Sequence, residues 1–257
     1  MKSAVIIPAR MASQRFPNKP MAKINGIPMI ERVWRQGMDS KIGDVFVACC
    51  EKEVFDLISS RGGKAIMTNP NHPSGTDRIF EAFSSLENKD DYESIINLQG
   101  DMPLIDPMIL ESVNKPLMHG YEIGTIATDI AKKDEENPNI TKVLINWHKT
   151  ESVGESIDFY KESKKQVDNI YQHVGIYSFK PNALYNFVSM KPSNNEIERK
   201  LEQLRALDAG VKIGITYVEN IPISVDTLED LMLIEKIIKT NNETNTYFCL
   251  SRCQWSL

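Results

Sequence analysis

Residues 4–20 read AVIIPARMASQRFPNKP, and the rest of the chain is best understood outward from them. Ala4 to Ile7 is a short, largely β-branched apolar run stopped by Pro8, which predicts a strand buried on both faces. A loop follows in which Arg10, Arg15 and Lys19 are threaded between Pro8, Pro17 and Pro20. Apolar residues at 29, 30, 33, 34 and 38 then mark one face of a helix. Strand, loop and helix in that order open an α/β sheet. The loop between them is where such sheets receive phosphates.

The same alternation continues. DVFVACC and KAIMT predict strands, and EVFDLISSRGG and TDRIFEAFSSL predict helices, the first of them ended by glycines. SIINLQ is a further strand and PMILESVNKPLM a further helix. βαβα order predicts a mostly parallel sheet with helices on both faces. Ligands bind such sheets at the carboxyl ends of the strands, which here means the segments after Ile7, Cys50, Thr68 and Gln99. Beyond about Gly124 the pattern changes. GTIATDI, TKVLIN and NIYQHVGIYSF predict strands, PNALYNFVSM a helix, and NNEIERKLEQLRALDAG one helix ending at Gly210. Residues 125–210 are therefore expected to form an inserted antiparallel α+β subdomain, with the core made of 1–124 and 211–239. KIGITYVEN and ISVDT predict strands before a last helix, LEDLMLIEKIIK. Residues 240–257 show no period and are expected to be poorly ordered.

Six segments hold residues with chemical potential. The first is the opening loop, whose three cations can neutralise a polyphosphate, arginine by forked contacts and lysine as a point charge. It lacks the glycine spacing of dinucleotide-binding and Walker loops. The second is INLQGDMP, which delivers Asp101 at a strand end after the permissive Gly100; the carboxylate can hold Mg²⁺ or cap a turn. The third is ISVDTLED, where Asp226 either caps the last helix or joins Asp101 on one metal. The fourth is PSGTDR, in which Ser74 or Thr76 caps a helix, or the exposed backbone and Arg78 read a nucleobase edge. The fifth is QHVGIYSF, with His173 and Tyr177 on one strand face. The sixth is LEQLRAL, where Glu202 and Arg205 at i, i+3 are spaced for a helix salt bridge. Two strand-end aspartates beside a cationic loop suggest Mg²⁺-assisted nucleotidyl transfer.

Bulk properties exclude other classes. The chain has 257 residues, 41% hydrophobic and 25% charged, as in ordinary globular proteins. A net charge of −5 argues against a general nucleic-acid binder, so an anion site must be local. No apolar stretch approaches a membrane span and no signal-peptide pattern opens the chain, so a cytoplasmic protein is expected. The four cysteines lack zinc-site spacing, and Cys49 and Cys50 read as buried, reduced thiols.

Taken together and in order, VIIPARMASQRFPNKP, INGIPMIERV, GGKAIMT, SGTDRI, NLQGDMPLIDP, HVGIYSF, LEQLRAL and ISVDTLEDL resemble the 3-deoxy-manno-octulosonate cytidylyltransferase (CMP-KDO synthetase) family over about residues 3–238. The resemblance implies a Rossmann-like nucleotidyltransferase sheet. It also implies transfer of CMP from CTP to the acidic sugar KDO for lipopolysaccharide synthesis, with release of pyrophosphate. Carried over position by position, Pro8, Arg10, Arg15, Lys19, Ser74 and Arg78 would hold CTP. Asp101 and Asp226 would bind Mg²⁺, and with Arg10 and Lys19 would form the catalytic set. Gln99, His173, Tyr177, Glu202 and Gln203 would hold the sugar. The family is typically a homodimer. The chain departs from the family's pattern over 154–165, where Lys161 stands at a position expected to be arginine, and in the tail beyond Lys239. The first departure admits 8-amino-KDO or another acidic sugar as substrate, or a CTP-binding homologue impaired in catalysis.

Overall fold

The computed structural model describes residues 1–12, 16–148, 152–162, 169–221 and 223–252, with side chains through Thr240. In chain order the elements are β1 (Ser3–Ala9), β2 (Lys23–Ile24), β3 (Ile27–Pro28), α1 (Met29–Asp39), β4 (Gly43–Cys49), α2 (Lys52–Ser60), β5 (Lys64–Met67), α3 (Gly75–Ser84), β6 (Ser94–Asn97) and α4 (Met108–Met118). Then come β7 (Ile123–Asp129), β8 (Lys142–Trp147), β9 (Val153–Tyr160), β10 (Ile170–Phe179), α5 (Pro181–Ser189), α6 (Asn194–Arg199), α7 (Leu204–Asp208), β11 (Ile213–Tyr217) and α8 (Leu228–Arg252).

Nine of these strands form one sheet in the order β5-β4-β1-β6-β10-β7-β11-β9-β8. The strand from AVIIP lies inside it, paired in parallel with β4 on one side and β6 on the other. Ala4, Val5, Ile6 and Ile7 are completely buried, which is why this strand is continuously apolar rather than alternating. One apolar cluster covers each face: Ile79, Ala82 and Phe83 of α3 on Ala4 and Ile6, and Ile30 and Val33 of α1 on Val5 and Ile7. The chain leaves β1 toward β4 and later returns to β6 on the opposite side. That reversal of strand order opens a crevice at the carboxyl ends of β1 and β6.

The sheet is mixed rather than mostly parallel. The pairs β1–β4, β1–β6, β4–β5 and β7–β11 are parallel, whereas β10 runs antiparallel to β6 and to β7. Residues 125–210 do not build a separate sheet; their strands extend the one containing β1. The amino-terminal part of β10 also pairs with β8. Following the pairings β10–β7–β11–β9–β8 and back to β10 traces a closed five-stranded ring at one end of the sheet. Closure leaves these strands fewer unpaired edges. β9, which covers the start of the segment that departs from the family pattern, ends at Tyr160, and 163–165 of that segment lie outside the described residues.

Two further expectations are corrected. The helix expected over 194–210 is two, because Lys200 adopts the left-handed conformation (φ 54°) and ends α6 before Leu201–Gln203. ISVDT is a loop, held by the bond from the Val225 N–H to the Asp101 carbonyl (2.8 Å) instead of a strand ladder. Among the described residues α8 runs through Arg252.

Candidate active site

A cavity of about 290 Å³ occupies the crevice. Pro8, Ala9 and Arg10 enter it from the end of β1, Ser74, Gly75 and Arg78 from the start of α3, and Gln99, Gly100 and Asp101 from the end of β6. Lys19 and Asp226 complete it. Gly100 permits this convergence, since a Cβ there would sit 3.0 Å from the Pro8 carbonyl oxygen.

At the centre the Lys19 ammonium donates to Asp101 Oδ2 (2.8 Å), to the Val225 carbonyl (2.9 Å) and to Asp226 Oδ1 (3.3 Å). Two carboxylates 125 positions apart in the chain thus aim oxygens at one cation. The lysine stem is mostly buried (17% exposed), so these contacts are less screened than a surface ion pair. Asp226 does not cap α8. Thr227 does, its Oγ1 accepting from the Asp230 N–H (3.2 Å) while Asp230 Oδ2 accepts from the Thr227 and Asp226 N–H groups (2.8 and 2.9 Å). Arg10 lines the cavity and is exposed. Arg15 lies outside the described residues.

Ser74 caps α3, its Oγ accepting from the Asp77 N–H (3.1 Å), and also lines the cavity. Arg78 is buried and donates to Thr68 Oγ1 (2.6 Å). Gln99 lies in this first cavity with the residues expected at CTP, donating to Asn97 Oδ1 (3.3 Å). His72, which no sequence pattern singled out, also lines it, with its ring bonded to Glu81. That pair spans nine positions, off any helical or strand period, so periodicity could not have found it.

A second cavity, of about 310 Å³, lies beside the first. Met102 and Ser224 line it, whereas Asp101 and Asp226 line the first. The Asp101–Val225 backbone bond is therefore the seam between the two. His173, Tyr177 and Gln203 line the second cavity together with Thr141 and Gln172. A bulge between Val174 and Tyr177 shifts the β10 register, yet the two rings still meet at 5.4 Å. Thr125 Oγ1 donates to the Ile176 carbonyl (2.8 Å) and so accepts from His173 Nε2 (3.0 Å), leaving Nδ1 of the neutral ring as an acceptor. Burial pushes His173 down to about 3. It also drives the Tyr177 phenol up, with help from the nearby Glu202 charge.

Glu202 accepts from Thr76 Oγ1 (2.8 Å), and burial raises its carboxyl above the usual range. Glu202, Gln203 and Tyr177 meet at a small void of about 30 Å³. Arg205 is not its salt-bridge partner. The guanidinium makes a forked pair with Glu196 instead (2.6 and 2.8 Å), because the break at Lys200 turns α6 toward α7. Lys161 lines neither cavity; its carbonyl accepts from the buried Lys142 ammonium (2.6 Å). Cys49 is buried and free, its thiol pushed up to about 12 by burial, and Cys50 is half-buried and free.

Comparison with known proteins follows the same lines. The cytidylyltransferase family profile matches residues 4–213. A 3-deoxy-manno-octulosonate cytidylyltransferase of Paramagnetospirillum magneticum is 40% identical over 238 residues, 91% of this chain and 97% of the relative. Another, from Rhodopseudomonas palustris, is 40% identical over 92% of this chain and 98% of its own length. The solved structure of CMP:2-keto-3-deoxy-manno-octonic acid synthetase complexed with CTP superposes with a TM-score of 0.85 at 30% identity, covering 94% of this chain and all of that one. A 4-diphosphocytidyl-2C-methyl-D-erythritol synthase from Anaerococcus prevotii, 12% identical with a TM-score of 0.63 over 93% of this chain and 98% of its own, shares the fold.

Proposed function

The chain belongs to the 3-deoxy-manno-octulosonate cytidylyltransferase family and is a nucleotidyltransferase; from that premise we propose that it converts CTP and KDO to CMP-KDO and pyrophosphate. The observation that carries this reading is the Lys19 ammonium bridging Asp101 and Asp226 in a cavity that also holds Arg10, with a second polar cavity across one backbone seam. One cavity suits a triphosphate and the other an acidic sugar.

The proposed step is direct transfer. The anomeric hydroxyl of the sugar forms a bond to the α-phosphorus of CTP and gives its proton to solvent, the α–β bridging bond breaks, and pyrophosphate departs with that electron pair. The enzyme contributes mainly position and charge. Arg10 and Lys19 offset the charge growing on the departing phosphates. Ser74 and Arg78 hold the nucleoside end, and His173, Tyr177, Glu202 and Gln203 orient the sugar, with Gln99 between the two. Asp101 and Asp226 fit Mg²⁺, since their oxygens already converge on one cation and that ion favours one or two carboxylates with phosphate oxygens. When bound, Mg²⁺ supplies further neutralisation of the phosphates. Among the described residues there is no cluster of three or more His, Cys, Asp or Glu for a metal, so two carboxylates are the protein's share. No helix among the described residues is long and apolar enough to cross a membrane. We place the enzyme in the cytoplasm, as a homodimer.

A second reading, transfer to 8-amino-KDO or another acidic sugar, rests on the departure of 154–165 from the family pattern, although Lys161 lines neither cavity. Pyrophosphate release from CTP and Mg²⁺, measured against KDO, 8-amino-KDO and a nonulosonic acid, tests both. Turnover fastest with KDO is expected. Preference for another acid would replace the substrate, and CTP binding without turnover on any acid would overturn the enzymatic reading.

A further inference from the structure

Glu51 is the second residue after β4, in the N-cap position of α2. Its side chain does not cap the helix, and glutamate is not among the residues preferred for that task. Instead Glu51 Oε1 reaches 40 residues back along the chain and accepts from the Met11 N–H at 2.9 Å. Met11 is fixed from its other side as well, because its carbonyl accepts from the Asn18 N–H at 3.0 Å. Met11 and Asn18 are the immediate neighbours of Arg10 and Lys19, the two cations that line the first cavity. The other oxygen, Oε2, is buried without a hydrogen-bond partner. One oxygen of this carboxylate is thus dry while the other makes a charge-assisted hydrogen bond to the loop backbone.

We propose that Glu51 is a positioning residue for the cationic loop, clamping Met11 so that Arg10 and Lys19 present their charges to the triphosphate of CTP. The loop lacks the glycine spacing of other nucleotide loops, and the clamp pre-sets its cationic side chains from outside. Ordering them before binding lowers the entropy lost on binding.

This inference rests on the cytidylyltransferase reading, and direct CTP binding separates the two. Titration calorimetry with CTP and Mg²⁺, thermal melting, and KM for each substrate are measured for the wild type, Glu51→Ala and Glu51→Gln. Glu51→Ala should weaken CTP binding and raise its KM about tenfold, as for one hydrogen bond to a charged group. KM for the acidic sugar should stay within a factor of two. Glu51→Gln keeps an acceptor for Met11 and should restore CTP affinity to within about threefold of wild type. CTP affinity unchanged in Glu51→Ala would overturn the inference. So would Glu51→Gln binding as poorly as Glu51→Ala, or a matching rise in both KM values with a lowered melting temperature, which would mark a merely structural role. A wild type that binds CTP but transfers to no acid would sink the proposed function and leave the clamp standing.

Discussion

The two cavities on either side of the Asp101–Val225 seam treat charge in opposite ways. In the first, ionised groups are kept charged and matched, with Lys19 bridging two aspartates and Arg10 exposed to solvent. In the second, burial suppresses charge: His173 is driven toward the neutral ring and Tyr177 toward the neutral phenol, and at the small void that shares Tyr177 with it Glu202 is driven toward the neutral acid. A triphosphate needs cations already in place, because the charge it brings cannot be removed. Sugar hydroxyls are better read by neutral groups that both donate and accept hydrogen bonds. Under the proposed function, the seam would let one sheet edge serve both.

The largest expected effect comes from breaking the charged side. Asp101→Asn or Asp226→Asn should lower kcat for pyrophosphate release by about 10²- to 10³-fold. Turnover within about threefold of wild type in both variants would show that the matched charges are not used in the reaction. Next comes the buried imidazole. Its folded value lies near 3, below the ordinary 6.5, so its contribution to stability is fully present above about pH 6.5 and is lost as pH falls toward 3. Between pH 7 and 5 that amounts to about 2 kcal/mol. His173→Gln should remove this part of the acid sensitivity in urea unfolding; an unchanged pH slope would mean that His173 is charged in the fold.

Glu202 titrates with the opposite sign. Its raised folded value favours the protonated form, so its contribution is present at acid pH and is lost as pH rises through that value. Glu202→Gln should therefore melt higher than wild type at pH 7, with the advantage fading as pH falls through the folded value. A lower melting temperature at pH 7 would mean that the ionised carboxylate is stabilising. The smallest effect lies far from both cavities. Lys52 and Asp56 pair at 2.7 Å on the exposed face of α2. Lys52→Ala should change stability by less than about 0.5 kcal/mol and leave kcat unaltered.

Much of this was legible in the linear chain. AVIIP read as a central strand because only burial on both faces asks for an unbroken apolar run, and Ala4 to Ile7 are indeed fully buried. Lys19, Asp101 and Asp226 were legible as a set because each sits at the end or edge of a recognisable element. What stayed hidden was non-local. The antiparallel placing of β10 between β6 and β7 depends on pairing across 80 to 84 residues with β6 and 42 to 56 with β7, to which period-2 alternation is blind. Arg205 at i+3 from Glu202 looked paired, but the helix that spacing presumes is broken at Lys200, whose left-handed backbone no helix-propensity pattern marks. Glu51 drew no reading, because its partner Met11 lies 40 positions away and no local pattern links them.

By itself, then, the sequence determined most of the strands and helices and which residues carry charge at the end of β1 or β6, because burial and period are properties of neighbours along the chain. Only the tertiary structure decided which charges meet. Lys19 is 82 positions from Asp101 and 207 from Asp226. Their convergence follows from the order of β1 and β6 in the sheet, from the glycine that lets those strand ends approach, and from the backbone bond that draws Val225 onto Asp101. Electrostatic attraction falls with distance in space, so sequence separation carries no information about it.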